Sequence, residues 1–498
     1  MKRRTFVQSS LAAAVTVASP FGRVLAAGGA TAASIPEIQA VGRTGGEVLL
    51  TEAEVREFGK SLYGQLLMPG NDGYDEARFI WNGMFDQRPG LIARCSGATD
   101  VMNAVDFSRT HDLLVAVRGG GHSISGKSSC NGGIMIDLSP MQGVRVDPTA
   151  RTARVQAGVL LNKLDQEAQR FGLVVTTGTT SHTGLAGLTL GGGLGRLARV
   201  FGLTCDNLLS ADIVTADGQY RHLSADENSD LFWGIRGGGG NFGIVTSFEY
   251  RLHPFGPDSL GGALLYPISQ MRDVLNFYSE FSLTAPKELN VGAVTTIPPG
   301  GKGMMIVGIT YAGDAAEGAR VIRPWQEFGK PVRDSIGMEN YVHVQRANDQ
   351  TLPFGNNYYM KAGFMTEVQP GLIDFMDGGF EPNPTRSYVA VLSQMGGAIG
   401  QVGESDTAFA HRDAEYDFVT GCTWVDREHS DENVTYMRNL WKQIVPFTKG
   451  FYVNNAMEES VDRVRQTYRG NYDRLVALKN KHDPTNMFHR NANIQPSV

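Results

Sequence analysis

Three glycine-rich stretches interrupt the first half of this sequence, each placed among segments with strand-like or helical patterning. They read VRGGGHSISG at 117–126, GLTLGGGLGRLARVFGL at 187–203 and LFWGIRGGGGNFGIVTSFEY at 231–250. Glycine leaves room for the backbone to approach a ligand, and successive exposed amide groups form nests that bind anions. If these turns converge in the fold, they predict a cleft that wraps a long cofactor containing a diphosphate.

Two of these stretches formally match the fingerprint of dinucleotide-binding folds. The pattern G-x-G-x-x-A begins at Gly193, and G-x-G-x-x-G begins at Gly238. The residues after Gly243 are strand-like, whereas that fold places a helix N-terminus against the pyrophosphate. The first match is followed by only about two helical turns before Gly202, with no clear crossover to a parallel strand. The sequence therefore argues against a Rossmann domain.

His122 stands between a run of three glycines and a polar turn that closes at Gly126. Imidazole acts as a nucleophile, a base or a metal ligand near neutral pH. A tight turn with an incidental histidine is the alternative interpretation. The neighbouring glycine runs favour a histidine that lies where a ring system passes and that is close enough to bond to it.

The first 27 residues, MKRRTFVQSSLAAAVTVASPFGRVLAA, predict a targeting segment. Arg3 and Arg4 with Phe6 form a twin-arginine signal, followed by a short apolar stretch at 11–19 and small residues suited to cleavage. The apolar stretch is too short to cross a bilayer, which takes about 20 residues. We therefore expect a signal peptide at 1–27, a location in the periplasm or outside the cell, and no stable membrane anchoring. An uncleaved anchor is the alternative.

The remaining composition bounds the class of protein and its partners. A chain of 498 residues with 61 glycines exceeds what a single core of about 250 residues organises, so we expect two lobes. The formal charge is −6 and no basic stripe is present, which disfavours a nucleic-acid partner and favours a small molecule. The sequence does not indicate an oligomeric state.

The cysteines, at positions 95, 130, 205 and 422, match neither a zinc pattern nor a paired C-x-x-C motif. We therefore predict no metal site. An oxidising compartment would permit disulfides, and the sequence does not select a pairing. Reduced, buried cysteines are the favoured interpretation.

Patterning along the chain separates two regions. Thr51 and Glu54 form a capping box that predicts a helix to about Leu66. From about residue 253 to 449 the glycine runs thin out, and strand-like segments such as GMMIVGITY and SYVAVLSQM alternate with helical stretches. The last segment predicts a helix that stops at Pro484, followed by an extended tail.

Together with the tail NYDRLVALKNKHDPTNMF, the three glycine-rich stretches resemble the FAD-linked oxidases of the berberine bridge enzyme type, in the vanillyl-alcohol oxidase superfamily. The resemblance covers nearly the whole chain after the signal, in the same order. It implies an α+β protein with a two-subdomain PCMH-type FAD-binding domain and an inserted substrate domain of an antiparallel sheet plus helices. On this chain we expect the FAD-binding domain at 45–255, the substrate domain at 256–449 and a C-terminal segment returning to the FAD domain at 450–498.

The resemblance also implies where the cofactor lies. His122 corresponds to the histidine that the family joins to the 8α-methyl carbon of FAD, and imidazole is a suitable nucleophile for that bond. The other residues that the resemblance places against FAD are Arg118, Gly119, Gly120, Gly121, Ser123, Gly126, Gly178, Thr180, Gly184, Gly187, Gly191, Gly192, Gly193, Ile244, Val245 and Asn454.

A single covalent attachment is expected. Many relatives carry a second link through a cysteine, and that position is Thr180 here, which has no sulfur. His182 lies nearby as an alternative attachment point, but it lacks the glycine context of His122. Thr183 stands where relatives usually carry valine next to the flavin and bears on oxygen access. Dioxygen is the expected acceptor, with another acceptor as the alternative.

For the chemistry, GFYVNNAME resembles the family's Y-x-N-Y element. Tyr452 then corresponds to the tyrosine that assists removal of the substrate hydroxyl proton, and a buried structural tyrosine is the alternative. A phenol, with an ordinary pKa of about 10, acts as a base only when its neighbours stabilise the phenolate. Some relatives carry a Glu or Gln five residues before the tryptophan that corresponds to Trp424, where this chain has Val419. That base is therefore expected to be absent, and the choice between Asp417 and Glu415 stays open.

The leading interpretation is a secreted FAD-dependent oxidase. It would pass hydride from an alcohol, sugar or secondary metabolite to covalently bound FAD, which O2 reoxidises with release of H2O2. One alternative is a flavin dehydrogenase with a non-oxygen acceptor. Another is a flavin-containing protein that sequesters a ligand without turnover.

Overall fold

The first helix begins at the predicted capping box. The computed structural model describes residues 37–497, so the predicted signal peptide lies outside the described residues. The Thr51 hydroxyl accepts a hydrogen bond from Glu54 N at 3.3 Å, and the Glu54 carboxylate accepts one from Thr51 N at 2.8 Å. The helix ends at Ser61 rather than near Leu66, because the chain turns into a short strand that begins at Gln65.

The first region carries two larger sheets, two small two-stranded sheets and most of the glycine turns. Its elements are β1 (Ile38–Val41), β2 (Glu47–Leu50), α1 (Glu52–Ser61), β3 (Gln65–Leu67), α2 (Tyr74–Arg78), β4 (Leu91–Arg94), α3 (Ala98–Thr110), β5 (Val115–Arg118), β6 (Ile134–Asp137), β7 (Val144–Asp147), β8 (Thr152–Gln156), α4 (Leu161–Gln169), β9 (Leu173–Val174), α5 (Leu185–Leu190), α6 (Ala198–Phe201), β10 (Leu208–Val214), β11 (Tyr220–Ser224), α7 (Ser229–Ile235), β12 (Ile244–Arg251) and β13 (His253–Pro254).

These strands form two subdomains. A mixed sheet has the order β3-β4-β6-β5, and an antiparallel sheet has the order β11-β10-β12-β8-β7. The hairpin β1–β2 adds residues before the expected boundary at 45, because Ala40 packs in the same hydrophobic core. Strand β12 follows Gly243 directly, which confirms that this glycine run does not open a helix.

The second region is built on one antiparallel sheet. Its elements are β14 (Asp258–Pro267), α8 (Met271–Thr284), β15 (Leu289–Ile297), β16 (Met304–Tyr311), α9 (Ala315–Glu327), β17 (Arg333–Asp334), β18 (Gly337–Asn340), α10 (Tyr341–Gln345), β19 (Asn357–Met365), α11 (Pro370–Gly378), β20 (Ser387–Gln394), β21 (Tyr416–Trp424) and α12 (Ser430–Ile444). The sheet order is β17-β14-β16-β15-β20-β21-β19, with β18 paired to β14.

The two faces of this sheet have different roles because side chains alternate along each strand. Helices α8, α9 and α12 cover the back face, where Tyr416 bonds to Ser282 and Tyr359 accepts a hydrogen bond from Arg438. The front face turns toward the first region. The register of β19 with β21 sets Phe364 opposite Asp417 on that face.

The C-terminal segment returns to the first region. Its helices are α13 (Val461–Tyr468) and α14 (Tyr472–His482). On α14, the fully buried Lys479 forms an ion pair with Asp483 at 2.6 Å and donates hydrogen bonds to the carbonyls of Asn241 and Phe488. A buried ammonium requires such partners, so these bonds hold the C-terminal segment against the 237–241 glycine turn. Within residues 37–497, no helix is long and apolar enough to cross a membrane.

Candidate active site

His122 lies in the loop after β5, facing the second region. Its imidazole stacks on Trp81 with ring centroids 4.4 Å apart, and Trp81 stacks on Tyr358 of β19 at 3.9 Å. The Nε2 atom of His122 lies 3.1 Å from Nδ1 of His182. Burial, together with repulsion from His182, lowers the pKa of His122 to about 3. The imidazole is therefore neutral near pH 7, and one ring nitrogen keeps a free lone pair.

Gly120 and Gly184 bring two glycine-rich turns into backbone contact. A Cβ atom on either residue would collide with the backbone of the other. Gly184 also forms an isolated antiparallel bridge with Leu160, which holds the second turn in place. This crossing sets His182 beside His122 although 60 positions separate them in the sequence.

A polar cradle forms where segments 127–129, 239–241 and 490–494 converge. The side-chain amide of Asn491 donates to the Gly240 carbonyl at 3.1 Å, and a Cβ at Gly240 would meet nothing within 4 Å. Among the described residues, the buried polar atoms without a hydrogen-bond partner include Ser128 Oγ, Ser129 Oγ, Asn491 Oδ1 and Asn493 Oδ1. Buried polar atoms require partners: the serine hydroxyls can donate to an anionic oxygen, and the asparagine oxygens can accept from hydroxyl or N–H groups, so this cradle fits a cofactor that carries both, such as FAD.

Five of the remaining cofactor glycines fall into two groups. Gly187 is exposed on α5, and a Cβ there would meet nothing within 4 Å, which leaves its helix face open to a ligand. At Gly126, Gly191, Gly192 and Gly193 the Cβ position is taken by protein side chains, which are Phe85, Asn454, Phe409 and Thr204 respectively. These four glycines therefore serve the packing of the protein around the site, whereas the sequence suggested room for the cofactor itself.

Tyr452 lies buried against the 191–195 turn. Its hydroxyl oxygen accepts hydrogen bonds from Gly193 N at 2.9 Å, Leu194 N at 3.2 Å and Asn454 Nδ2 at 2.7 Å. Burial nevertheless raises the pKa of Tyr452, because the three donors only partly offset the loss of water. The phenol is therefore neutral and fixed in position, with its own hydrogen available to donate.

Asp417 supplies the carboxylate that the sequence left undecided. It lies on the front face of β21, on the same side as Val419 two residues later, while Glu415 precedes the strand. Its Oδ1 atom is buried and has no hydrogen-bond partner in the described part of the chain. Burial raises the pKa of Asp417 to about 7, and its charge in turn raises the pKa of Tyr452. The position that some relatives fill with Glu or Gln is Val419 here, and of the two acids that the sequence left open, Asp417 is the one within the strand.

The loop between α10 and β19 covers the His122 side of the site. Asp349 accepts hydrogen bonds from the backbone N–H and the hydroxyl of Ser181, at 2.8 and 2.6 Å. The indole N–H of Trp81 donates to the Leu352 carbonyl at 2.9 Å. These contacts hold the second region against the turn that carries His182.

The other predicted residues lie around this cleft or in the core beside it. Arg118 ends β5 and donates to the Ala77 carbonyl; its buried Nε atom lies 4.0 Å from Asp137 Oδ1 and has no hydrogen-bond partner in the part of the chain that the structure describes. The Ser123 hydroxyl accepts from Lys127 N at 3.1 Å. Ile244 and Val245 are buried core residues at the start of β12. Thr180 is buried, and the cysteines at 95, 130, 205 and 422 are free and buried.

Such a cleft supports electron transfer through a bound flavin. It therefore indicates that the protein belongs to the class of flavin-dependent oxidoreductases. Residues 89–224 match a family model described as an FAD binding domain, and residues 451–495 match one described as berberine and berberine like. An FAD-linked oxidoreductase of Dictyostelium discoideum is 33% identical over 447 residues, covering 89% of this chain and 97% of that protein. The chain belongs to the berberine bridge enzyme-like family of FAD-linked oxidoreductases.

Solved structures agree with this assignment. The crystal structure of 6-hydroxy-D-nicotine oxidase from Arthrobacter nicotinovorans aligns with a TM-score of 0.80 at 29% identity, covering 88% of this chain and 99% of that chain. The Acremonium strictum glucooligosaccharide oxidase, described as carrying a 6-S-cysteinyl, 8α-N1-histidyl FAD, shares the fold at a TM-score of 0.81 and 23% identity, covering 89% and 100% of the two chains. The α+β fold, the FAD cofactor and oxidoreductase activity are thereby confirmed.

Proposed function

We propose that this protein is an oxidase that removes hydride from a carbon bearing a hydroxyl group, or a comparable secondary-metabolite carbon, with FAD bonded covalently to His122. The observation that carries the proposal is the buried Asp417 carboxylate, whose Oδ1 has no partner among the described residues, beside the fixed hydroxyl of Tyr452. Hydride abstraction from an alcohol requires a group that accepts the hydroxyl proton, and these two side chains provide it.

The cofactor, Asp417 and Tyr452 have separate roles in the proposed reaction. FAD supplies the hydride acceptor when bound. Asp417, with a pKa raised to about 7, takes the substrate proton near neutral pH. Tyr452 orients the substrate oxygen by donating its own hydrogen, because the three N–H donors on its oxygen fix the ring and its raised pKa disfavours the phenolate. In this proposal the tyrosine positions and the aspartate accepts the proton.

A single covalent bond fits the side chains that face the cofactor. If His122 donates its Nε2 hydrogen to His182 Nδ1, the lone pair of His122 Nδ1 is free for the 8α-methyl carbon. The Acremonium oxidase carries both a histidyl and a cysteinyl bond, whereas Thr180 offers only a hydroxyl at the expected second position. We therefore infer one link, through His122.

The proposal also names the electron acceptor of the reduced flavin and the location of the protein. We infer that dioxygen reoxidises the flavin with release of H2O2, and that the twin-arginine segment at 1–27 directs export to the periplasm or beyond. A dehydrogenase with another acceptor is the second candidate. Thr183, in place of the usual valine beside the flavin, is the residue that favours it.

The test is anaerobic reduction followed by exposure to oxygen. We expect an alcohol panel to bleach the flavin absorbance, and we expect oxygen to restore it with stoichiometric H2O2. Bleaching without recovery in oxygen would identify the dehydrogenase, and ligand binding without bleaching would identify a sequestering protein. Acid precipitation tests the covalent bond: wild-type protein should stay yellow and His122→Ala should precipitate colourless, whereas a yellow His122→Ala pellet would reject His122 as the site.

A further inference from the structure

The front face of the second-region sheet continues directly from the Asp417–Tyr452 pair, and its composition bears on the substrate. Strand registers align side chains into rows that cross the sheet. The row that contains the carboxylate consists of Gly308, Gly292, Ser393, Asp417 and Phe364. The substrate atom that loses its proton must lie beside this row.

The next row is entirely aliphatic. It consists of Ile306, Val294, Val391, Val419 and Ala362, one from each of five neighbouring strands. The third row consists of Met304, Thr296, Val389, Gly421 and Met360. Asp417 is thus the only charged residue in the three rows, and Phe364 is the only aromatic one.

This face borders the cofactor cleft at two points. Phe364 belongs to the hydrophobic cluster that contains Tyr452, and Tyr358 reaches His122 through the Trp81 stack. Between these points the aliphatic side chains of β15, β16 and β20 are only half-buried, so the described residues leave them partly uncovered. A molecule reaching Asp417 across this face therefore contacts aliphatic carbon.

We propose that the substrate is an uncharged, mainly apolar molecule with a single hydroxyl or amino group at the oxidised carbon, and that Val391 and Val419 select it. This inference rests on the proposed oxidase function and names its substrate class. A sugar unit would place several hydroxyl groups on rows where only Ser393, Thr296 and Asp417 have side chains that form hydrogen bonds, and unpaired polar groups are costly to bury. A carboxylate on the substrate would in addition lie near Asp417, which repels it.

The test uses the flavin-loaded full-length protein with 4-alkylbenzyl alcohols, 4-(hydroxymethyl)benzoate and cellobiose. Binding is measured from the change in the visible flavin spectrum, and turnover from anaerobic bleaching. We expect the neutral alcohols to bind, with affinity rising about threefold to fourfold for each added methylene. The benzoate should bind at least about tenfold more weakly than the methyl compound, and cellobiose weaker still.

Two variants test whether the binding of the alkylbenzyl alcohols depends on the sheet face. Val391→Asn should weaken binding of the alkylbenzyl alcohols by about tenfold, because it places an amide on the aliphatic row. Val425→Asn is the matched control, since Val425 lies just beyond β21 and is 71% exposed. It should leave binding unchanged.

The outcomes separate this inference from the proposed function. Binding of the alcohols without bleaching would retain the apolar site and reject the oxidase. Bleaching by cellobiose at an equal or lower concentration would retain the oxidase and reject the apolar site. Failure of the whole alcohol series to bind, or equal effects of the two asparagine variants, would also overturn the inference.

Discussion

Replacing Asp417 by asparagine tests the assignment of the base most directly. The substitution keeps the size of the side chain and removes its ability to take a proton. Because the pKa of Asp417 is raised to about 7, its ionised fraction rises from about one tenth at pH 6 to about nine tenths at pH 8. The rate constant for flavin reduction divided by KM should therefore rise about tenfold over that interval in the wild type.

The assay is stopped-flow reduction of the flavin under anaerobic conditions from pH 5 to pH 9. Loss of a general base typically costs about 100-fold or more, so Asp417→Asn should fall by at least that factor at pH 8 and lose the rise with pH. Glu415→Gln is the matched control, because Glu415 precedes β21 and should leave the profile unchanged. A variant rate within threefold of the wild type at pH 8, or an unchanged profile, would refute the assignment.

Three further predictions address other parts of the molecule. Tyr452→Phe should slow reduction by about tenfold to 100-fold while keeping the pH rise, since Asp417 remains; a flat profile in this variant would instead make the phenol the titrating base. His182→Ala should lower the fraction of flavin that stays attached after acid precipitation, measured by fluorescence of the denatured protein. The same substitution at the exposed His343 should not lower it. Equal fractions in the two variants would show that the His122–His182 contact does not assist attachment. Burial raises the pKa of Asp165 from 3.8 to about 7, so the folded state favours the protonated carboxyl group. The stabilisation that results is complete below pH 3.8 and is lost as the pH rises through 7. The free energy of unfolding measured in urea should accordingly fall by up to about 1.4 kcal/mol per pH unit between pH 4 and 7 because of this group, and Asp165→Asn should remove that part of the slope. The same slope in the wild type and the variant would contradict the raised pKa.

Local sequence signals predicted much of this architecture. The capping box of Thr51 and Glu54 marked the start of α1 correctly, because both of its hydrogen bonds are made within four residues. The strand-like residues after Gly243 argued correctly against a helix at that point, because alternation of side chains is itself a local pattern. The end of α1 was harder to place, since the residues after Ser61 form β3, which pairs with the distant β4.

The site could be predicted only in part. The glycine context of His122 identified it, but its contact with His182 depends on the crossing of Gly120 and Gly184, which no local pattern records. Asp417 was named without a decision against Glu415, because residues 415, 417 and 419 alternate onto the same side of an extended strand. Only the start of β21 at Tyr416, which leaves Glu415 outside the strand, favours Asp417.

The way the tail is anchored has a consequence for biosynthesis. Lys479 ties α14 to the glycine turn at 237–241, and the same terminal stretch of chain brings in Tyr452. Residues near the C-terminus leave the ribosome last. A growing polypeptide therefore possesses the histidine and the aspartate before it gains the phenol, and the reaction centre is complete only after the segment that carries Tyr452 and Lys479 has been synthesised.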